Sequence, residues 1–93
     1  MLKIYTVCGN GIGSSIMLKS KVEEICEENG IDAIVESTDF NSAQGKNCDL
    51  LVTVKELAQQ FEGKEVAVVR SYINKRKIQE DILDILLSKA GKV

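Results

Sequence analysis

Residues 2–15, which read LKIYTVCGNGIGSS, decide the fold of this 93-residue chain. Residues 2–7 are rich in strand-forming side chains and pass directly into a cluster of glycines. Beyond that cluster the spacing of apolar residues predicts a helix over residues 13–29, closed by the favoured C-cap pair Asn29 and Gly30. The predicted buried stripe of this helix consists of Leu18, Val22, Ile25 and Cys26. A strand, a glycine turn and a helix in this order predict the opening of a βαβ unit.

The rest of the chain continues the same alternation. Further predicted strands are residues 31–37, 49–54 and 65–69, each short and rich in β-branched residues. Predicted helices are a single turn near residues 41–44, a short helix over 55–61 and a final helix over 74–89. The expected buried stripe of the final helix is Ile78, Ile82, Ile85 and Leu86. We therefore expect one α/β domain over residues 1–93, a three-layer, Rossmann-like sandwich whose four-stranded parallel sheet has the order 2-1-3-4.

The composition excludes several classes of function. The absence of histidine removes Ser-His-Asp and Cys-His catalysis, histidine metal ligation and phosphohistidine chemistry on this chain. A net charge of -2 gives no reason to expect nucleic acid as a partner. No apolar run approaches the ~20 residues of a membrane-spanning helix, so we expect a cytosolic protein. The three cysteines lack C-x-x-C spacing, so neither a disulfide framework nor a thiolate metal site is expected, and no cofactor is predicted.

The glycine cluster is suited to binding an anion. It follows the first strand, and ligands of open parallel sheets bind beyond the carboxyl ends of the strands. Alternating glycines let successive N–H groups point inward, and two serines add hydroxyl donors at the start of the helix. The expected phosphate-binding residues are Gly9, Asn10, Gly11, Ile12, Gly13, Ser14 and Ser15. We expect the same dipoles to favour the thiolate form of Cys8, which makes Cys8 the candidate nucleophile and phosphoryl acceptor.

Other glycine-rich or cysteine-containing phosphate-binding motifs do not match the residue positions in this cluster. A dinucleotide fingerprint G-x-G-x-x-G begun at Gly9 or at Gly11 meets Ser14 or Ile16 where its third glycine should be. A Walker A loop requires a Gly-Lys pair, and the cluster contains none. A cysteine phosphatase loop of the form C-x-x-x-x-x-R-[ST] fits in frame, but Ser14 stands where its arginine should be. Without that guanidinium, catalysed hydrolysis loses a large electrostatic contribution, which suits a phosphocysteine that survives until an acceptor arrives.

The sequence VCGNGIGSS at residues 7–15 resembles the active-site loop of enzyme IIB of the bacterial sugar phosphotransferase system (PTS), most closely the ascorbate type. Galactitol and lactose/cellobiose types are related. The resemblance implies a phosphotransferase with a phosphatase-like loop, in which Cys8 takes a phosphoryl group from a phosphohistidine on enzyme IIA. The group then passes to a sugar at the membrane permease, enzyme IIC. By the same resemblance, residues 9–15 would form the phosphate-binding loop, and the protein would be cytoplasmic and peripherally associated with the permease.

Several residues outside the loop could line the site, bind a partner protein or have only a structural role. Ile16 and Met17 project away from the buried stripe, so they are either covered by loops or form an apolar docking patch for a partner. Cys26 is interpreted as a core residue and Cys48 as structural. Thr53 could line the same site. Lys55 could do the same, although a solvated lysine at the start of a helix is the simpler interpretation. Recognition of an acidic partner could involve further residues on or near this edge, although a solvated basic helix start is simpler; they are Arg70, Ser71, Lys75, Arg76 and Lys77.

Two other functions use the same loop. A low-molecular-weight phosphatase or an arsenate reductase-like enzyme would turn over an aryl phosphate or arsenate through Cys8 without a partner. A regulatory or anion-binding module would bind phosphate in the loop but form no covalent adduct. The carrier hypothesis is distinguished from both by a phosphoryl group that arrives from another protein and leaves to an acceptor.

Overall fold

The computed structural model describes residues 2–8, 13–61, 63 and 65–91, with the backbone alone for residues 8 and 13–15. Four parallel strands, β1 (Leu2–Cys8), β2 (Ala33–Asp39), β3 (Leu50–Thr53) and β4 (Val66–Val68), form one sheet of order β2-β1-β3-β4. The helices are α1 (Gly13–Glu28), α2 (Phe40–Gln44), α3 (Lys55–Ala58) and α4 (Lys75–Lys89). The predicted α/β class and strand order are confirmed.

The two faces of the sheet carry helix layers of unequal size. The long helices α1 and α4 cover one face, where their apolar stripes pack against Ile4, Val35 and Val52. The short helices α2 and α3 cover the other face. There the buried residues are Tyr5, Val7, Ala43 and Leu51, beside a ring contact between Phe40 and Phe61. The predicted stripe of α1 is buried throughout, whereas in α4 Ile85 is only partly buried beside Ile78, Ile82 and Leu86.

The end of α1 explains why β2 begins two residues later than predicted. Gly30 has a φ of 67°, and the N–H of Ile31 donates to the carbonyl of Cys26 at 2.8 Å. The N–H of Gly30 donates to the carbonyl of Glu27, which completes a Schellman closure. Because Ile31 is committed to closing the helix, it packs into the core instead of pairing in the sheet.

The predicted helix over residues 55–61 is too long. α3 ends at Ala58, and the chain continues in tight turns in which Gln60 and Phe61 donate to the carbonyls three residues earlier. The short helix predicted near residues 41–44 is confirmed as α2, with Asp39 at its N-cap. The final helix is confirmed with Asn74 as its N-cap, whose side chain accepts from the N–H of Lys77 at 3.1 Å.

Candidate functional site

The candidate nucleophile lies at the carboxyl end of a central strand. β1 runs between β2 and β3 and ends at Cys8, and α1 begins at Gly13. Residues 9–12, Gly9, Asn10, Gly11 and Ile12, fall outside the described residues. Gly13, Ser14 and Ser15 form the first turn of α1, where the backbone N–H groups of a helix lack intrahelical partners. Cys8 is thus separated by four residues of sequence from the N-terminal turn of α1.

A buried threonine supports the strand that carries Cys8. Pairing of β1 with β3 extends to Thr6 opposite Val52. Beyond that point Thr53, which is fully buried, donates its hydroxyl to the carbonyl of Val7 at 3.0 Å. The hydroxyl of Thr53, a residue that could line the site, contacts the backbone immediately before Cys8. Its contact therefore helps to fix the peptide that joins Val7 to Cys8, the candidate nucleophile.

Thr53→Val keeps the shape of this side chain and removes its donor. The Val7 carbonyl is then left without that hydrogen bond inside the sheet, so we expect the free energy of unfolding to fall by about 1 to 3 kcal/mol. Thr53→Ser restores the hydroxyl and should recover most of the loss. Urea denaturation of the three proteins measures the effect, and equal stability of Thr53→Val and wild type would contradict it.

Strand β2 brings an acidic residue to the same edge. Asp39 is the register partner of Cys8 and ends β2, as Cys8 ends β1. Its Oδ1 accepts from the N–H of Ser42 at 2.6 Å and so caps α2. This hydrogen bond lowers the pKa of Asp39, with a smaller contribution from the charge of Lys46. Asp39 is therefore an ionised carboxylate on the strand next to the candidate nucleophile, a residue that the sequence alone did not single out.

The first turns of α1 present two exposed apolar side chains. Ile16 is 48% exposed and Met17 is 49% exposed, whereas the next residue, Leu18, is fully buried. The prediction that both side chains project away from the buried stripe is confirmed. The helix places them within two turns of Gly13, on the side of the molecule where β1 ends.

Residues 3–84 match the family described as "PTS system, Lactose/Cellobiose specific IIB subunit". The chain belongs to this PTS IIB family. An "Ascorbate-specific PTS system EIIB component" of Mycoplasma pneumoniae is 32% identical over 75 residues, which cover 78% of this chain and 79% of that protein. Proteins of the same name from Salmonella typhimurium and Escherichia coli O157:H7 are 26% identical over 90 residues, 91% of this chain and 89% of theirs.

Family membership identifies the broad role of the protein. A IIB subunit is a phosphoryl carrier of a phosphotransferase system and works with IIA and IIC components. The sequence-based resemblance to an ascorbate-like enzyme IIB is thereby confirmed at the level of the family and its relatives. Among the described residues of this IIB subunit, no helix is long and apolar enough to cross a membrane.

Two of the basic residues considered for this edge of the IIB subunit, Arg70 and Lys75, have acidic partners within the chain. Arg70 Nε donates to Asp81 at 3.0 Å, and its Nη2 donates to Glu80 at 3.0 Å. Lys75 forms an ion pair with Glu28, the last residue of α1. A helix of 16 residues separates Glu28 from Gly13 by roughly 22 Å. The interpretation that the basic run lies near the Cys8 edge is therefore wrong for Lys75, because its ion pair holds it at the far end of α1.

The other two cysteines of the IIB subunit lie away from the site. Cys48 precedes β3, at the amino edge of the sheet, and packs against the small cluster beneath α2 and α3. Cys26 is only 3% exposed in the stripe of α1, which confirms it as a core residue. Burial, and secondarily the charge of Glu23, raise the pKa of Cys26 to about 11. Its thiol stays protonated and unreactive at neutral pH.

The raised pKa of Cys26 predicts a loss of stability in alkali. The unfolded chain ionises this thiol near the ordinary value of 9.0, whereas the folded chain holds the proton until about 11. Deprotonation therefore favours the unfolded state as the pH rises through that range, by about 2 to 3 kcal/mol at its upper end. Urea denaturation below pH 9 and near pH 11 measures the fall, and Cys26→Ala should show a shallower one. Parallel curves for the two proteins would contradict this assignment.

Proposed function

We propose that this IIB subunit carries a phosphoryl group on Cys8, received from a phosphohistidine of enzyme IIA and passed to a sugar at the IIC permease. The observation that carries the proposal is the position of Cys8. It is the last residue of a central parallel strand and is followed, after a glycine-rich segment, by the N-terminal turn of α1. A thiol at such a point meets the two needs of phosphoryl transfer, which are positioning and stabilisation of an anion.

Each of the two transfers replaces one bond to phosphorus with another. The Cys8 thiolate attacks phosphorus, so that an S–P bond forms as the N–P bond breaks and the imidazole nitrogen leaves with the electron pair. In the second step a sugar hydroxyl oxygen attacks phosphorus, an O–P bond forms, and the P–S bond breaks. The thiolate is regenerated with that electron pair, and the hydroxyl proton passes to solvent. The chain needs no metal or organic cofactor for either step.

The glycine-rich segment supplies the anion-binding surface in this proposal. Backbone N–H groups would hold the phosphoryl oxygens, with hydroxyl donors from the two serines at the start of α1. The residues assigned to this role are Gly9, Asn10, Gly11, Ile12, Gly13, Ser14 and Ser15. Ile16 and Met17 would form the adjacent docking surface for the partner proteins, since both are exposed beside this turn.

We assign ascorbate, or a sugar acid like it, as the transported substrate. The support is the name shared by the three relatives described above, "Ascorbate-specific PTS system EIIB component". The family description refers instead to lactose and cellobiose, so discharge of the phosphoryl group on addition of ascorbate tests this assignment. We further propose that residues 1–93 act as one EIIB domain at the cytoplasmic face of the permease.

Mass spectrometry of the intact protein tests the carrier function. The chain is incubated with phosphoenolpyruvate, the general phosphotransfer proteins and a IIA protein encoded beside it. We expect the gain of one phosphoryl group, mapped to the peptide that contains Cys8 and lost when the matching permease and ascorbate are added. A stable noncovalent phosphate complex would instead favour an anion-binding module. Release of phosphate or reduction of arsenate by the chain alone would favour the phosphatase-like alternative, and either outcome overturns the proposal.

A further inference from the structure

The residue paired with Cys8 across the sheet is an acid. β2 and β1 are in parallel register, and their last paired residues are Asp39 and Cys8. Neighbouring strands lie about 4.8 Å apart, so the backbone of Asp39 is next to the backbone that carries the nucleophile. The carboxylate of Asp39 also stays at this edge, because it is held by the N–H of Ser42 in the first turn of α2.

Few positively charged side chains belong to the elements next to Asp39. The α2 helix has no charged side chain, and α1 has none before Lys19. Within residues 2–8, 13–61, 63 and 65–91, the cation whose charge lowers the pKa of Asp39 is Lys46, and its ammonium group also lies 5.6 Å from the centre of the Tyr5 ring. On the other side of β1, α3 begins with the exposed residues Lys55 and Glu56, which carry opposite charges.

Arg70, the basic residue that follows β4, is paired with acidic residues of α4. Its side chain donates to Asp81 and Glu80. Its guanidinium group is thus neutralised by α4 and is not directed to β2, at the opposite edge of the sheet.

We propose that the negative charge of Asp39 raises the phosphoryl-transfer potential of Cys8. This inference rests on the carrier function proposed above. A loop of amide donors alone would stabilise a phosphoryl dianion strongly, and a carrier that holds its group too tightly discharges it slowly. A fixed carboxylate nearby repels that dianion and offsets part of the stabilisation. The phosphocysteine then loses its group to the sugar more readily when the P–S bond breaks and the O–P bond forms.

The size of the effect follows from Coulomb's law. At a separation of about 6 Å, slightly more than the spacing of neighbouring strands, two unit charges in water-like surroundings shift an ionisation by about half a pH unit, which is a factor of about three. Repulsion of a doubly charged phosphoryl group is roughly twice as large, or about tenfold in the equilibrium between phosphorylated and free Cys8. Asp39 thus affects the phosphorylated state more than the thiolate.

The test is Asp39→Asn, which removes the charge and keeps a side chain that caps helices equally well. The matched control is Asp32→Asn, which makes the same charge change just before the other end of β2, more than ~20 Å away. The rate at which iodoacetamide alkylates the Cys8 peptide is measured by mass spectrometry across pH. Its midpoint is the pH at which half of the Cys8 thiol is ionised. Discharge of phosphorylated Cys8 to the sugar at the permease gives the transfer rate, and thermal unfolding checks that the fold is kept.

We expect Asp39→Asn to lower the alkylation midpoint by about half a pH unit and to slow discharge by roughly threefold to tenfold. Asp32→Asn should leave both unchanged. If wild-type Cys8 becomes phosphorylated and Asp39→Asn matches wild type in midpoint and discharge rate, the role of Asp39 is overturned. If wild-type Cys8 never accepts a phosphoryl group, the carrier function itself fails, and the two failures are therefore distinguishable.

Discussion

Cys8→Ser is expected to reduce phosphoryl transfer from enzyme IIA by a factor on the order of 10³ or more. A serine hydroxyl is far weaker as an acid than a thiol, so almost none of it is present as the reactive anion at neutral pH. The substitution removes one sulfur at the last position of β1 and should leave the fold intact. Transfer of labelled phosphate from IIA to the chain, followed over time, measures the loss.

Cys48→Ser is the matched control for the nucleophile. Cys48 is a partly exposed thiol before β3, at the opposite edge of the sheet, so its replacement should leave the transfer rate unchanged. Circular dichroism and thermal unfolding of both variants check that they are folded. Sugar uptake supported by Cys8→Ser at the wild-type rate would show that the thiol does not carry the phosphoryl group.

Ile16→Glu is expected to slow phosphoryl transfer from IIA by roughly 10- to 100-fold at limiting concentrations of the partner. Ile16 is 48% exposed in the first turn of α1, beside the segment that follows Cys8. A carboxylate placed in an apolar contact must be dehydrated when the partner binds, which costs about 1 to 3 kcal/mol at a central interface position. The free energy of unfolding should change by no more than about 0.5 kcal/mol, because the side chain is on the surface.

Ile34→Glu provides a control of nearly identical exposure. Ile34 is 49% exposed and lies near the amino end of β2, at the other end of the strand from Asp39. It undergoes the same chemical change without being near Cys8, so its rate of transfer should match wild type. Titration of the rate against IIA concentration separates weaker docking from slower chemistry. Equal slowing by both substitutions would show that Ile16 belongs to no specific docking surface.

Local patterns account for much of the fold. Strand-forming segments alternate with apolar stripes at helical spacing, and the sheet order follows from right-handed crossovers between parallel strands. The pattern also placed Cys8 at the end of β1 and the start of a helix close behind it. The types of the elements and the position of Cys8 depend on residues close together in the sequence, and the sheet order follows a general rule of handedness, so the sequence alone predicted all three.

The supporting contacts of the site depend on residues far apart in the chain. Thr53 reaches Val7 across 46 positions, and no local pattern indicates that its hydroxyl would contact the backbone there. The role of Asp39 depends on register. A strand over residues 31–37 would not have extended to it, and the closure of α1 by Ile31 moves the pairing so that Asp39 meets Cys8. A shift of this kind is set by hydrogen bonds at a helix end, which propensities do not resolve.

The unequal size of the two helix layers determines which part of the domain unfolds first. α1 and α4 have 16 and 15 residues and are packed over a continuous apolar cluster, whereas α2 and α3 have five and four. Amide hydrogen exchange in such a domain is expected to proceed first through the thin layer, which can detach at a small free-energy cost while the sheet persists. The paired peptide groups of β1 and the interior turns of α1 then belong to the slowest-exchanging unit, so the strand that ends at Cys8 stays in place during partial unfolding.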